Sequence, residues 1–341
     1  MAYLLSQLPQ LVHAADVQGK LISWCPGPST NRAAVGPAHG YLHRPSRAQE
    51  RVETEGTMPG NGLHDSSVRA KSDWFGMRLL ALAWRNTGDK RYLDKVAAQF
   101  DSWMGVYHPS HNPINDTDLD ALIDAYAITK DSLPEKTELA VHRFLSQAGH
   151  QYATEMTENQ GRRGVWISNW QSHRIKLVTL IAVATDDSPL LDSAEQFYAA
   201  QVAENIDESG ATYDYKLRDA LHYAVYTLEP LTRSAIAAQS AGRDWFSSEG
   251  IGTGRLRKGI LWLQEYASGH TGHFEFTNSR VPFDIARREA KVPGFSGTWR
   301  KEGANSLFWL ASELDSTFVA TATTLGPAPA WATACFGIPK K

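Results

Sequence analysis

Between residues 215 and 226 the order Tyr215-Lys216-Leu217-Arg218-Asp219-Ala220-Leu221-His222-Tyr223-Ala224-Val225-Tyr226 packs cations, an imidazole and phenols into roughly three helical turns. A second constellation opens another helix: Asn169, Trp170 and His173, with the amide and the imidazole about one turn apart on nearly the same side. Each has a plain structural explanation. His173 can be a hydrogen-bonded core histidine, and the tyrosines can sit on a core edge with Lys216 and Arg218 in solvent.

Their combined chemistry suits β-elimination. The C5 proton of a uronate is too weakly acidic to remove until the neighbouring carboxylate is neutralised, a task for Asn, Arg or Lys. A base then takes that proton while an acid protonates the O4 leaving group, and His and Tyr are suited to both. No cofactor is required. Eleven Trp and twelve Tyr could supply stacking surfaces for pyranose rings, although most aromatics of a helical domain serve its core.

Metal chemistry competes only weakly. His108 and His111, His270 and His273, and His39 and His43 lie three or four residues apart, without an HExxH motif or a carboxylate ligand pattern. No metal is expected, and His64 or His108 is better placed as a groove residue.

These side chains must be carried by helices. From Ser72 onward apolar residues recur at helical spacing, as in Leu93, Val96, Ala97, Phe100, Trp103, Met104 and Tyr107. The stretch before it has two apolar stripes, Trp74, Met77, Ala81 and Trp84 on one and Phe75, Leu79 and Leu82 on the other, which predicts an inner helix covered on two sides. Further helices are predicted over 135–157, 167–185, 189–206, 217–241, 255–267 and 303–318, with strand-like alternation only near 270–284. Thr87-Gly88-Asp89 before Leu93-Asp94 recurs as Thr185-Asp186-Asp187 before Leu191-Asp192, each reading as helix, tight turn, helix. Antiparallel hairpins with so irregular a repeat predict a closed, incomplete α/α toroid in an all-α chain, rather than an open array.

The 341 residues read as one domain, with a loop-rich segment over 26–70. A net charge of -3 provides no global field for nucleic acid or another polyanion, so an anionic ligand must meet a local basic groove. No apolar run approaches the roughly 20 residues that span a bilayer, and no basic segment leads a cleavage site at the start. A secreted or periplasmic chain whose leader has been removed is expected, acting as a monomer. Cys25 and Cys335, near opposite ends, could be disulfide-bonded or two buried thiols.

From about Trp74 to Phe318 the sequence resembles the alginate lyase family of α/α-toroid polysaccharide lyases. The most specific stretch is Arg218 to Leu231, where Ala220-Leu221-His222-Tyr223 and Leu228-Glu229-Pro230-Leu231 match the family helix that presents a catalytic tyrosine. The resemblance implies that role for Tyr223 and a carboxylate-neutralising role for Asn169. It extends to the Asn112-Pro113-Ile114 turn and to Asn278–Arg287 leading to Trp299. By analogy, the loop from Gly60 to Arg69, with His64 and Arg69, stands where such lyases carry a lid. Trp74, Trp170 and Asn112 join these on the substrate side.

Two positions depart from the family. Trp170 follows Asn169 where many members have histidine, which leaves the base to His173, His222 or Tyr223 itself. Lys216 stands at the usual arginine position and Arg218 two residues later, so either could hold the carboxylate. On an unbroken helix Arg218 would point away from Tyr223 and toward Tyr226, which makes Tyr226 the rival acid. The resulting expectation is lysis of a 1,4-linked polyuronate, mannuronate-rich alginate or glucuronan, leaving 4,5-unsaturated ends. A toroid glycoside hydrolase using Asp116, Asp118, Asp120 or Asp124, and a non-catalytic polysaccharide-binding toroid, are the alternatives.

Overall fold

The structure, a computed structural model, describes residues 24–27 and 30–337. The N-terminal stretch read above for a leader lies outside them. Fourteen α-helices are present among these residues: α1 (Val35–His39), α2 (Gly62–Thr87), α3 (Lys90–Met104), α4 (Leu119–Thr129), α5 (Glu135–Glu158), α6 (Asn169–Ala184), α7 (Ser188–Asn205), α8 (Tyr213–Arg218), α9 (Leu221–Ser240), α10 (Arg255–Ala267), α11 (Pro282–Glu289), α12 (Asn305–Leu314), α13 (Val319–Leu325) and α14 (Ala330–Phe336).

Successive helices alternate between two layers. In the inner layer α2, α4, α6, α9 and α12 pack each against the next, while α3, α5, α7, α10 and α13 form an outer layer. α14 packs against both α12 and α2 and closes the ring, as an α/α toroid requires. The inner position explains why α6 is buried on almost every side and why the two stripes of α2 are both covered. At the α5 crossing a Cβ on Gly149 would lie 2.8 Å from methyl groups of Ile181 and Leu190, so a larger residue would have to push them aside.

Local sequence sets the hairpins. The recurring Thr-Gly-Asp and Thr-Asp-Asp turns place Gly88 and Asp186 in the left-handed region, with φ of 69° and 57°. The aspartate that follows caps the next helix: Asp89 accepts from Arg91 N, and Asp187 from Leu190 N. The weak repeat is therefore a turn-and-cap device.

Three sequence expectations change. The segment Gly60–Arg69 is not a loop beyond Gly62, because the Asn61 side chain accepts from the amides of Leu63 and His64 and starts α2 there. The segment read as loop-rich over 26–70 also contains the short α1. The 270–284 segment forms no strand; its extended pairing is one isolated bridge, Phe274 to Thr298, before α11 begins.

Cys25 and Cys335 form a disulfide, with Cα atoms 4.4 Å apart across a sequence separation of 310. It ties the start of the described chain to α14, next to Gly27 N donating to the Cys335 carbonyl at 2.5 Å. Loop-closure entropy predicts that Cys335→Ser or reduction costs about 3–5 kcal/mol. Calorimetry with and without reductant checks this, and an unchanged melting temperature would mean that packing alone closes the ring.

Candidate active site

The inner helices surround a cavity of about 370 Å³. Helix α9 supplies His222, Val225, Tyr226, Glu229, Pro230 and Arg233, a set recurring at three and four residues that marks one helix face. α6 adds His173 and Lys176, and the start of α4 adds Thr117, Asp118 and Asp120. Phe75, Arg78, Trp299, Ser306 and Trp331 complete much of the wall.

Charges inside the cavity are largely matched. Arg233 Nη2 meets Asp124 at 2.7 and 2.9 Å, and Arg78 joins the same carboxylate at 3.3 Å. Lys176 lies 3.5 Å from Asp120 and donates to the Thr117 carbonyl at 2.6 Å, while Lys71 holds Asp118 at 2.7 Å. Burial opposes the charge on Asp120, yet Lys176, Arg78 and Arg233 keep its carboxyl below the usual range. Glu229 accepts from Ser306 Oγ at 2.9 Å, and burial pushes its carboxyl up.

His173 is 3 % exposed, and neither ring nitrogen has a hydrogen-bond partner among the described residues. Burial, reinforced by Lys176, holds it well below the ordinary imidazole range, so it is neutral at physiological pH. Its ring lies 4.3 Å from that of Tyr226, whose hydroxyl shares a 2.9 Å bond with Thr117 Oγ1. His222 is exposed at the mouth, yet the surrounding walls, Arg287 and Arg218 pull it down to about 4.

Tyr223 is 7 % exposed and does not itself line the cavity; it lies behind the rim formed by His222, with the two ring centroids 5.1 Å apart. The Arg218 guanidinium lies 3.9 Å above its ring, and Arg287 Nη1 donates to its hydroxyl at 3.4 Å. Burial pushes the phenol up; Arg218 and Arg287 oppose that, because a nearby cation favours phenolate. Asp284, fully buried, holds Arg218 in place at 2.6 Å and accepts from Ser279. Arg287 forms no ion pair among the described residues and stacks on Phe283 and Phe295.

The expectation of an unbroken helix here is corrected. Asp219 is left-handed, with φ 49° and ψ 51°, and separates α8 from α9. Its backbone carbonyl accepts from Phe276 N at 2.8 Å and from His273, and its carboxylate accepts from Asn278. The break turns Arg218 back over Tyr223. Ala220 provides no side-chain cap for α9, and Glu275 substitutes, its Oε1 accepting from Leu221 N at 2.9 Å and His222 N at 3.4 Å.

The sequence profile described as alginate lyase matches residues 27–273. The chain belongs to the alginate lyase family. It is thereby a polysaccharide lyase. No curated protein matches it by sequence. Among solved structures, an alginate lyase from Bacteroides ovatus superposes with a TM-score of 0.65 at 14% identity, covering 91% of this chain and 93% of that one. Alginate lyase A1-III from Sphingomonas species A1 superposes with a TM-score of 0.58 at 15% identity, covering 90% and 96%. A histidine-to-alanine variant of alginate lyase A1-III, complexed with tetrasaccharide, gives 0.58 at 15% identity over 93% and 97%. These likenesses establish the toroid fold.

The other residues picked out from the alginate lyase resemblance fall in several places. Asn169 is buried, with Nδ2 donating to Asp214 Oδ1 at 2.7 Å, and it does not line the cavity; Asp214 also takes Asn205 and Thr227. Lys216 leaves the cavity to pair with Asp207 at 2.9 Å on the surface. Trp74 is core, packed on Trp103 and Tyr107. Trp170 is half-buried on the first turn of α6, with Arg174 5.9 Å from its ring. Asn112 caps its own turn through Ile114 N, and that turn leads to Thr117, the partner of Tyr226. His64 pairs with Asp65 and Arg69 is exposed, both on the opening turns of α2. Glu229 was legible only as part of a motif, Arg287 only as the end of a family-like segment, and Glu275 carried no sequence signal.

Glu275 is 4 % exposed and burial raises its carboxyl to about 7, although its two backbone donors oppose this. A carboxyl raised in the folded state binds its proton more tightly there. Its stabilising contribution is therefore complete below the unfolded value near 4.5 and lost as pH rises through about 7. Glu275→Ala removes the cap and should cost about 1–2 kcal/mol. Glu275→Gln keeps an acceptor oxygen without the charge, so its melting temperature should gain on wild type between about pH 5 and about pH 8. Parallel melts of all three proteins check this; equal pH slopes for wild type and Glu275→Gln would refute it.

Proposed function

We propose that the chain cleaves a 1,4-linked polyuronate by β-elimination, with mannuronate-rich alginate the first substrate and glucuronan the second. The observation that carries this reading is the rim, where the Tyr223 hydroxyl meets Arg287 beside the neutral imidazole of His222. Arg287, which has no carboxylate partner among the described residues and lies beside Tyr223, takes the substrate carboxylate and makes the C5 proton removable. This gives Arg287 the task that family resemblance assigns to Asn169, whose amide is occupied by Asp214.

Tyr223 exchanges the proton. As the C5–H bond breaks, its electron pair forms the C4=C5 double bond and expels O4, which receives a proton. In mannuronate and glucuronate the C5 hydrogen and O4 lie on the same side, so one phenol can serve both steps. Tyr223 begins as the phenolate, which Arg218 and Arg287 stabilise; it becomes the neutral phenol on taking the C5 proton and returns to phenolate on passing that proton to O4. Tyr226 and His173 form the wall against which the ring is held. The disulfide supports action outside the reducing cytoplasm, in a secreted or periplasmic setting.

A hydrolase reading draws support from Asp120 and Glu229 sharing the cavity, and the products separate the two. Elimination creates a conjugated unsaturated end absorbing near about 232 nm, whereas hydrolysis adds water and leaves saturated ends. We expect absorbance to rise with polymannuronate or polyglucuronate, and Tyr223→Phe to lower kcat by about 10²–10⁴ with oligosaccharide binding retained. Flat traces from folded protein, or full turnover by Tyr223→Phe, would sink this reading.

A further inference from the structure

The rim chemistry acts at C4 and C5 and cannot sense C2, yet mannuronate and glucuronate differ only there. In a pyranose, C2 stands across the ring from C5. A ring that meets His222 with its C5 edge and lies along the lining face of α9 would bring its C2 edge past Tyr226. One turn further along the same face of α9 is Glu229.

Of the cavity's charged groups, Glu229 is the one left for a neutral partner. Lys176 is held by Asp120, Arg78 and Arg233 by Asp124, and Asp118 by Lys71. Glu229 forms no ion pair among the described residues; the Ser306 hydroxyl fixes Oε1 at 2.9 Å and so sets the direction of the carboxyl group. Paired cations beside an unpaired acceptor disfavour an entering carboxylate and favour a hydroxyl donor.

Resting on the lyase reading above, we propose that Glu229, oriented by Ser306, reads the hydroxyl at C2 and thereby decides which C2 epimer of the uronate is accepted. The C2 hydroxyl is axial in mannuronate and equatorial in glucuronate. A single fixed acceptor can meet one direction well and not the other, and a hydrogen bond to a buried charged group carries enough energy to discriminate.

The test compares kcat/KM on purified polymannuronate and polyglucuronate, followed near about 232 nm, for wild type, Glu229→Gln and Ser306→Ala. Glu229→Gln should change the ratio between the two polymers by roughly tenfold or more, and Ser306→Ala should move it the same way by less. A ratio that stays within about twofold of wild type overturns the proposal, even if both rates fall together. Should Glu229→Gln fail to fold, Ser306→Ala decides by the same criterion. Failure of wild type to turn over either polymer overturns the lyase reading and this proposal with it, whereas wild-type turnover with an unmoved ratio overturns this proposal alone.

Discussion

The hydrogen bonds that pin the break at Asp219 set Arg218 against the first turn of α9. A left-handed aspartate ends α8 after Arg218, and helix α9 restarts two residues later under a cap from Glu275. Without that interruption Arg218 would continue down the helix and leave Tyr223. With it, a guanidinium, a phenol and the start of an inner helix come to one rim. A non-glycine residue in this conformation persists only when its surroundings over-determine it. Here Phe276, His273 and Asn278 do so, all from the excursion between α10 and α11.

The same excursion divides the electrostatics of the site. Inside the toroid the lining cations are paired with carboxylates, as expected where an isolated buried charge would cost several kcal/mol, and Glu229 is held by a hydroxyl instead. At the rim, Arg218 is neutralised by the buried Asp284, while Arg287 rests on aromatic rings and retains its charge for a ligand. On the proposed reading, a chain with a net charge of -3 meets its anionic polymer through this local cation. Neutral His173 and His222 add polarity to the wall without adding charge.

Closure of the ring serves this arrangement. Asp124 on α4 gathers Arg78 from α2, Arg233 from α9 and the Trp24 indole, so three inner helices and the start of the described chain meet at one carboxylate. α14 and the Cys25–Cys335 disulfide hold the first and last inner helices together around it.

Much of this was legible in the residue order. Helical periodicity, the two-sided stripe of α2, the repeated turn-and-cap aspartates and the His222-Tyr223 helix follow from local spacing, because apolar period and capping act within a few residues. The toroid followed from the same patterns, and the family from the resemblance carried by Arg218 to Leu231. Tertiary structure alone decided the rest. Lys216 and Arg218 are two residues apart, yet one faces Asp207 at the surface and the other Tyr223, because the helix breaks between Arg218 and Leu221. Asn169 lies on the right helix but turns to Asp214, a buried carboxylate 45 residues away. Glu275 caps α9 from 54 residues away. Such partners are set by which loops the closed ring brings together, and spacing along one chain carries no record of that.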